Sequence, residues 1–103
     1  MKLIIIESPY AGDVKLNLEY LDLCILDAIK RGESPIASHK MLTSALKDAD
    51  PLERSLGIMA GFAWHEKADY TVVYQDHGIS DGMKYGIQNA LCVGKSIIYR
   101  NIL

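Results

Sequence analysis

Leu3-Ile4-Ile5-Ile6 is an unbroken, β-branched-rich run that stops at Ser8-Pro9-Tyr10-Ala11-Gly12, and no other stretch constrains the fold as much. A strand that is apolar at every position leaves no face for water, so it has to be covered on both sides. The rest of the chain supplies the covers. From Val14 to Arg31, Leu18, Leu21, Cys24 or Ile25, Ala28 and Ile29 recur at helical spacing, with Asp13 as cap and Gly32 as stop. Pro35-Ile36-Ala37-Ser38 reads as a short second strand, and residues 39–49 as a loop with a helical turn around Leu42 to Leu46. Asp50-Pro51-Leu52-Glu53 starts a second helix, with a capping aspartate, a proline at the first helical position and a glutamate three residues after the cap. That helix is expected to reach Lys67 and to bury Leu56, Met59, Ala60, Ala63 and Trp64.

Tyr70-Thr71-Val72-Val73-Tyr74 is the third strand. Ser80 caps a third helix carrying Met83, Ile87, Ala90 and Leu91 and stopped near Gly94, and Ser96 to Arg100 closes the series. Strands and helices therefore alternate, which calls for a parallel sheet of about four strands with three helices on its two faces. Right-handed crossovers favour the spatial order 2-1-3-4, with a ligand crevice beyond the carboxyl ends of the strands where the first and third diverge.

At 103 residues the chain is expected to form one domain, residues 1–103, and with half of its residues apolar it can bury a core. Its 11 basic and 13 acidic residues give a net charge of −2 without runs of either sign, which argues against a duplex nucleic-acid binder. No segment approaches the roughly 20 apolar residues of a membrane span. Cys24 and Cys92 lie in apolar periodic stretches and read as buried free thiols, and no metal-ligand spacing links them to a histidine. A soluble protein of a reducing, cytoplasmic setting, without metal or cofactor, is the expectation.

The predicted crevice gathers Glu7 to Asp13, Ser38-His39, Gln75 to Gly78 and the helix start Ser80-Asp81-Gly82-Met83. Ser80 and Gly82 open a helix whose free N–H groups suit a phosphate or carboxylate. Tyr10, after Pro9, is placed to stack on a planar ring, and Ser8 and Gly12 share its loop. His39 and His77 stand just past strands, within reach of phosphate or ribose; His65, beside Trp64, reads as a surface or interface residue. Gly86 stands inside the predicted helix, where glycine costs roughly 0.5–1 kcal/mol against alanine, so either a ligand or a tightly packed element comes close to it. Glu7, Asp13, Asp76 and Asp81 are the carboxylates of this edge, and acid–base or nucleophilic chemistry would need one of them buried and aimed.

Ser-Pro-Tyr-Ala-Gly-Asp at 8–13, Pro35 to His39, Asp50-Pro51 to Gly57, and Ser80-Asp81-Gly82-Met83 with Ala90 and Gly94 together resemble a family of small uncharacterised domains, largely from phages and bacteria. These look like minimal members of the nucleoside 2-deoxyribosyltransferase-like superfamily. The resemblance implies a flavodoxin-like doubly wound sheet, a nucleoside or nucleotide pocket at the strand ends, and oligomers. In the superfamily's transferases the corresponding helix begins with an aspartate, has a glycine two residues later and carries the nucleophilic glutamate four residues beyond it. Here Ser80 replaces the aspartate, Gly82 matches the glycine and Gly86 stands where the glutamate would be. With no catalytic residue at that position, the resemblance implies non-catalytic binding of a nucleoside- or nucleotide-derived molecule at Ser8, Pro9, Tyr10, Gly12, His39, Asp76, His77, Ser80, Asp81, Gly82, Met83 and Gly86. In a phage, working in the host cytoplasm, this would suit sequestration of a nucleotide immune signal. Two alternatives stay open: a nucleoside N-glycosidase or deoxyribosyltransferase using a relocated carboxylate (Asp76, Asp81 or Glu7), and an oligomeric interaction module; under all three readings Phe62, Trp64 and Ile102 are the candidate contacts between copies.

Overall fold

A computed structural model describes residues 1–47 and 49–103. Four parallel strands, β1 (Lys2–Glu7), β2 (Glu33–Ile36), β3 (Tyr70–Tyr74) and β4 (Ser96–Arg100), lie in the order β2-β1-β3-β4. Four helices connect them: α1 (Val14–Lys30), the single turn α2 (Ser38–Met41), α3 (Pro51–Ala63), which runs into a 3₁₀ turn at Trp64–Glu66, and α4 (Asp81–Cys92). The expected sheet order and doubly wound architecture are what the chain adopts.

β1 is central, with Ile4 opposite Pro35 on one side and Tyr70 on the other. Because successive side chains alternate in direction, Ile4 and Ile6 join Val72 and Tyr74 on one face, where Tyr20, Leu21, Cys24 and Ala28 of α1 close the core. Ile5, Glu7, Thr71 and Val73 point the other way, towards α4, whose buried stripe is Met83, Gly86 and Ala90. Asp13 caps α1 by accepting from Leu16 N at 3.1 Å, and Asp50 caps α3 by accepting from Leu52 N at 2.9 Å.

Four expectations change. The second strand lies two residues earlier than its sequence suggests, at Glu33–Ile36, since Glu33 is itself buried and paired with Arg100. The expected loop at 39–49 begins inside α2, and position 48 of it lies outside the described residues. Cys24 is buried, whereas Cys92 is exposed at the outer end of α4. The largest change concerns α3: Leu56, Met59, Ala60, Ala63 and Trp64 are exposed, and Gly61 is the helix's one buried residue. The amphipathic pattern is real, but α3 stands off the sheet and leaves Leu52, Leu56, Ile58 and Met59 uncovered.

Beneath α1 a polar network ties the two edge strands together. Arg100 of β4 donates through both terminal nitrogens to Glu33 of β2, each at 2.7 Å, and Nη1 also reaches Tyr74 Oη at 3.1 Å. Tyr70 donates to the same Glu33 carboxylate, and Tyr74 to Asp27 at 2.9 Å. The Arg100 guanidinium holds Glu33 below the usual carboxylate range.

Candidate functional site at the carboxyl edge of the sheet

The loops after β1, β2 and β3 and the start of α4 all emerge at the carboxyl edge. Ser8 and Pro9 are buried, and Ser8 Oγ lies 2.7 Å from His39 Nε2, which joins the first loop to α2. Burial lowers the His39 pKa to about 4, so this ring is neutral at physiological pH. Tyr10 is half-buried, its carbonyl held by Asn17 Nδ2 at 2.9 Å, while Gly12 lies in the open with a φ of +97°.

Asp76 and His77 turn towards the α1 side. Asp76 Oδ2 accepts from Tyr20 Oη at 2.5 Å, and Oδ1 accepts from the backbone of Ile102 and Leu103 at 2.9 and 2.8 Å. Burial alone would raise its pKa, but these donors outweigh it and hold Asp76 below the usual range. Asp76 thus anchors the last residues, and Ile102 packs on the core of that face. The exposed His77 ring meets Tyr20 edge-on at 4.5 Å. Ser80 caps α4, accepting from Met83 N at 3.3 Å; Met83 is buried, while Asp81 projects into solvent 3.7 Å from Lys84. Gly82 is exposed, with only Ser80 Oγ near it.

On the opposite face, Gly86 meets Glu7. A Cβ built on Gly86 would lie 2.3 Å from Glu7 Oε2 and 2.7 Å from Oε1, so the carboxyl group lies directly over the bare helix backbone. The Glu7 side chain is only 15% exposed, and beside it lies the His65 ring, with Nε2 3.7 Å from Oε2. Burial raises the Glu7 pKa, opposed by His65. His65 is not a surface residue: at 2% exposure it lies stacked on Phe62 and bound to Asn89. Sequence reasoning singled out Gly86 and counted Glu7 among several carboxylates, but read His65 as a surface or interface residue and gave Asn89 no role. The available signal was an acidic residue ending a wholly apolar strand together with a glycine inside a helix.

Among the described residues, a cavity of about 150 Å³ opens between Leu3, Ile5, Ile36 and Trp64, and one of about 220 Å³ between Phe62, Tyr85, Asn89 and Cys92. Both lie on the α3–α4 side and away from Tyr10 and Gly12.

The family model of the domain of unknown function DUF7768 matches residues 2–100. The chain belongs to this family. No curated protein matches it. Among solved structures, this DUF7768 domain is similar to the 2-deoxyribosyltransferase of Bacillus psychrosaccharolyticus, with a TM-score of 0.74 and 13% identity, over 96% of this chain and 72% of the other. It is also similar to the CMP N-glycosidase BcmB of Clostridium botulinum, with a TM-score of 0.57 and 16% identity, over 97% and 71%. At such identities the likeness is one of fold. That likeness of fold covers nearly the whole of the DUF7768 domain.

Gly86→Ala is a direct probe of the Glu7 contact. The obstacle to the new methyl group is the far end of a flexible side chain, and alanine favours a helix by about 0.5–1 kcal/mol over glycine. The fold is expected to keep its stability to within about 1 kcal/mol in urea melts, while the carboxyl group swings away and any reaction depending on it slows at least about tenfold. Unchanged turnover would show that the carboxyl position is immaterial.

Proposed function

We propose that this domain binds a nucleoside or nucleotide at the carboxyl edge of its sheet and acts on the N-glycosidic bond, with Glu7 as the attacking carboxylate. The observation that carries this reading is the Glu7 carboxyl group in the space that a side chain at position 86 would fill. The sequestration reading draws on the absence of a carboxylate from that helix position, and a carboxylate delivered from β1 removes its ground. Nucleoside chemistry as the class is supported by the two similar folds, one a 2-deoxyribosyltransferase and one a CMP N-glycosidase.

In the proposed reaction, a Glu7 oxygen forms a bond to C1′ as the C1′–N bond breaks, and the base leaves with the bonding pair and takes a proton from water. A water molecule, or a second base in a transfer, then attacks C1′ and regenerates the free carboxylate. Burial strengthens such a carboxylate as a nucleophile by stripping its hydration. Tyr10 is proposed to stack on the ring, Ser8 and His39 to line the sugar side, and the exposed backbone at Gly82 to receive a phosphate. The test is chromatography of a panel of nucleosides and nucleoside monophosphates after incubation with the protein, with calorimetry in parallel. Free base from at least one member is expected. Binding without release would restore the sequestration reading, and neither binding nor release would overturn both.

The proposal includes self-association in the cytoplasm. No helix of the described residues is long and apolar enough to cross a membrane, and the uncovered side chains of α3, with Trp64 at 44% exposure and Phe62 half-buried beside them, need another surface. A second copy is the proposed cover. Light scattering is expected to give a dimer or larger assembly that Leu56→Glu dissociates; a monomer at micromolar concentration would contradict it.

A further inference from the structure

Beside Glu7 lie two polar side chains, His65 of the 3₁₀ turn and Asn89 of α4. His65 is 2% exposed, and its ring is stacked on Phe62 with centroids 5.6 Å apart and planes 25° apart. Its Nδ1 is 2.7 Å from Asn89 Nδ2, and the same amide nitrogen lies 3.5 Å from the Phe62 carbonyl oxygen. A carbonyl oxygen can only accept, so the Asn89 atom facing it is the NH₂ group. That group can only donate, so Nδ1 accepts and the proton of a neutral ring resides on Nε2. Nε2 is the nitrogen 3.7 Å from Glu7 Oε2.

We infer that Asn89 and His65 form a positioning pair, with Asn89 fixing the ring as the Nε2–H tautomer and His65 aiming that N–H at the Glu7 carboxylate. This inference rests on the proposed role of Glu7. The 3.7 Å separation is longer than a hydrogen bond, as free enzymes often show before substrate closes the contact. The arrangement gives Glu7 one directed donor, at Oε2. His65 touches no substrate, so its effect belongs in kcat rather than KM.

Two measurements test the pair in the intact protein. The first is the ¹⁵N spectrum of the histidine rings, with the His65 resonances assigned by loss in His65→Gln. Wild type is expected to show the Nε2–H form, Glu7→Gln to shift the Nε2–H proton, and Asn89→Ala to give a tautomer mixture. An Nδ1–H ring in wild type, or an Nε2–H signal unmoved by Glu7→Gln, would overturn the inference. The second is kinetics of base release. His65→Leu is expected to lower kcat about 10–100-fold, the range seen when an outer supporting group is removed, with KM within about twofold. His65→Gln, whose amide both accepts from Asn89 and donates to Glu7, should recover most of that loss; a purely structural histidine would show no such rescue. If wild type releases no base from any nucleoside, the proposed function fails, and the tautomer spectra still decide whether the pair exists.

Discussion

Glu7→Gln is expected to abolish base release while making the protein more stable. Glutamine preserves the shape over Gly86 but cannot form an ester to C1′, so the rate should fall at least about 10³-fold, equivalent to about 4 kcal/mol of barrier. Ligand binding by calorimetry should persist. The stability change follows from linkage. Burial raises the folded pKa of Glu7 above its unfolded value, so the folded protein holds the proton more tightly. The resulting stabilisation is complete below the unfolded pKa and is lost as pH rises through the folded pKa. Above that folded pKa the ionised side chain is therefore a cost that the neutral amide removes. Each kcal/mol gained moves Tm by about 4–8 °C in a domain of this size, and the advantage of the variant should shrink as pH is lowered. A glutamate with a purely structural role would give the opposite pairing, lower stability with activity retained. A destabilised site residue whose removal strengthens the fold is the expected mark of function.

The second large effect concerns the network below α1. Glu33→Ala leaves the Arg100 guanidinium, 12% exposed, without the carboxylate that binds it at both ends. Breaking such a pair from one side costs about 3–5 kcal/mol, a large part of the 5–15 kcal/mol that holds a typical domain together. Tm is expected to fall by about 15 °C or more. The double replacement Glu33→Met with Arg100→Met should lose less than the single one, because no unpaired charge remains. A shift of less than about 3 °C for Glu33→Ala would show that water enters and solvates the arginine. Glu33 is held low first by Arg100, and Asp27 also lies below its usual value because Arg31 and Tyr74 outweigh the effect of burial. Carboxylates with lowered folded pKa values stabilise above the unfolded pKa, and this contribution is lost as pH falls through the folded one. Wild type should therefore unfold in acid below about pH 4, and Glu33→Ala should show a shallower acid transition.

The sequence made the framework legible because its signals are local. Ile4 to Ile6 form the covered centre of β1, although Leu3 before them stays exposed, Asp13 and Asp50 do cap α1 and α3, and Tyr70 to Tyr74 has few other ways to pack. The path from alternating strands and helices to the order β2-β1-β3-β4 then needs only right-handed crossovers. Burial of α3 was not legible: an apolar stripe says that a face seeks cover, but not whether its own sheet or another molecule provides it. The site was half-legible. Gly86 announced a close approach, yet the approaching group, Glu7, lies on a strand far away in the chain. His65 and Asn89 follow no motif because their roles arise from three elements meeting behind the sheet. Asp76 looked equally available in sequence, and only the fold reveals Tyr20 and the final residues as its partners.

Mechanism-based labelling addresses the central claim most directly. The protein is incubated with a nucleoside carrying 2′-fluorine in the arabino configuration, which slows breakdown of a glycosyl ester, and is then digested and analysed by mass spectrometry. The account predicts a sugar adduct on Glu7, absent from Glu7→Gln. An adduct on Asp76 or Asp81, or base release from the fluorinated nucleoside by a protein that stays unlabelled under every quenching condition, would contradict it.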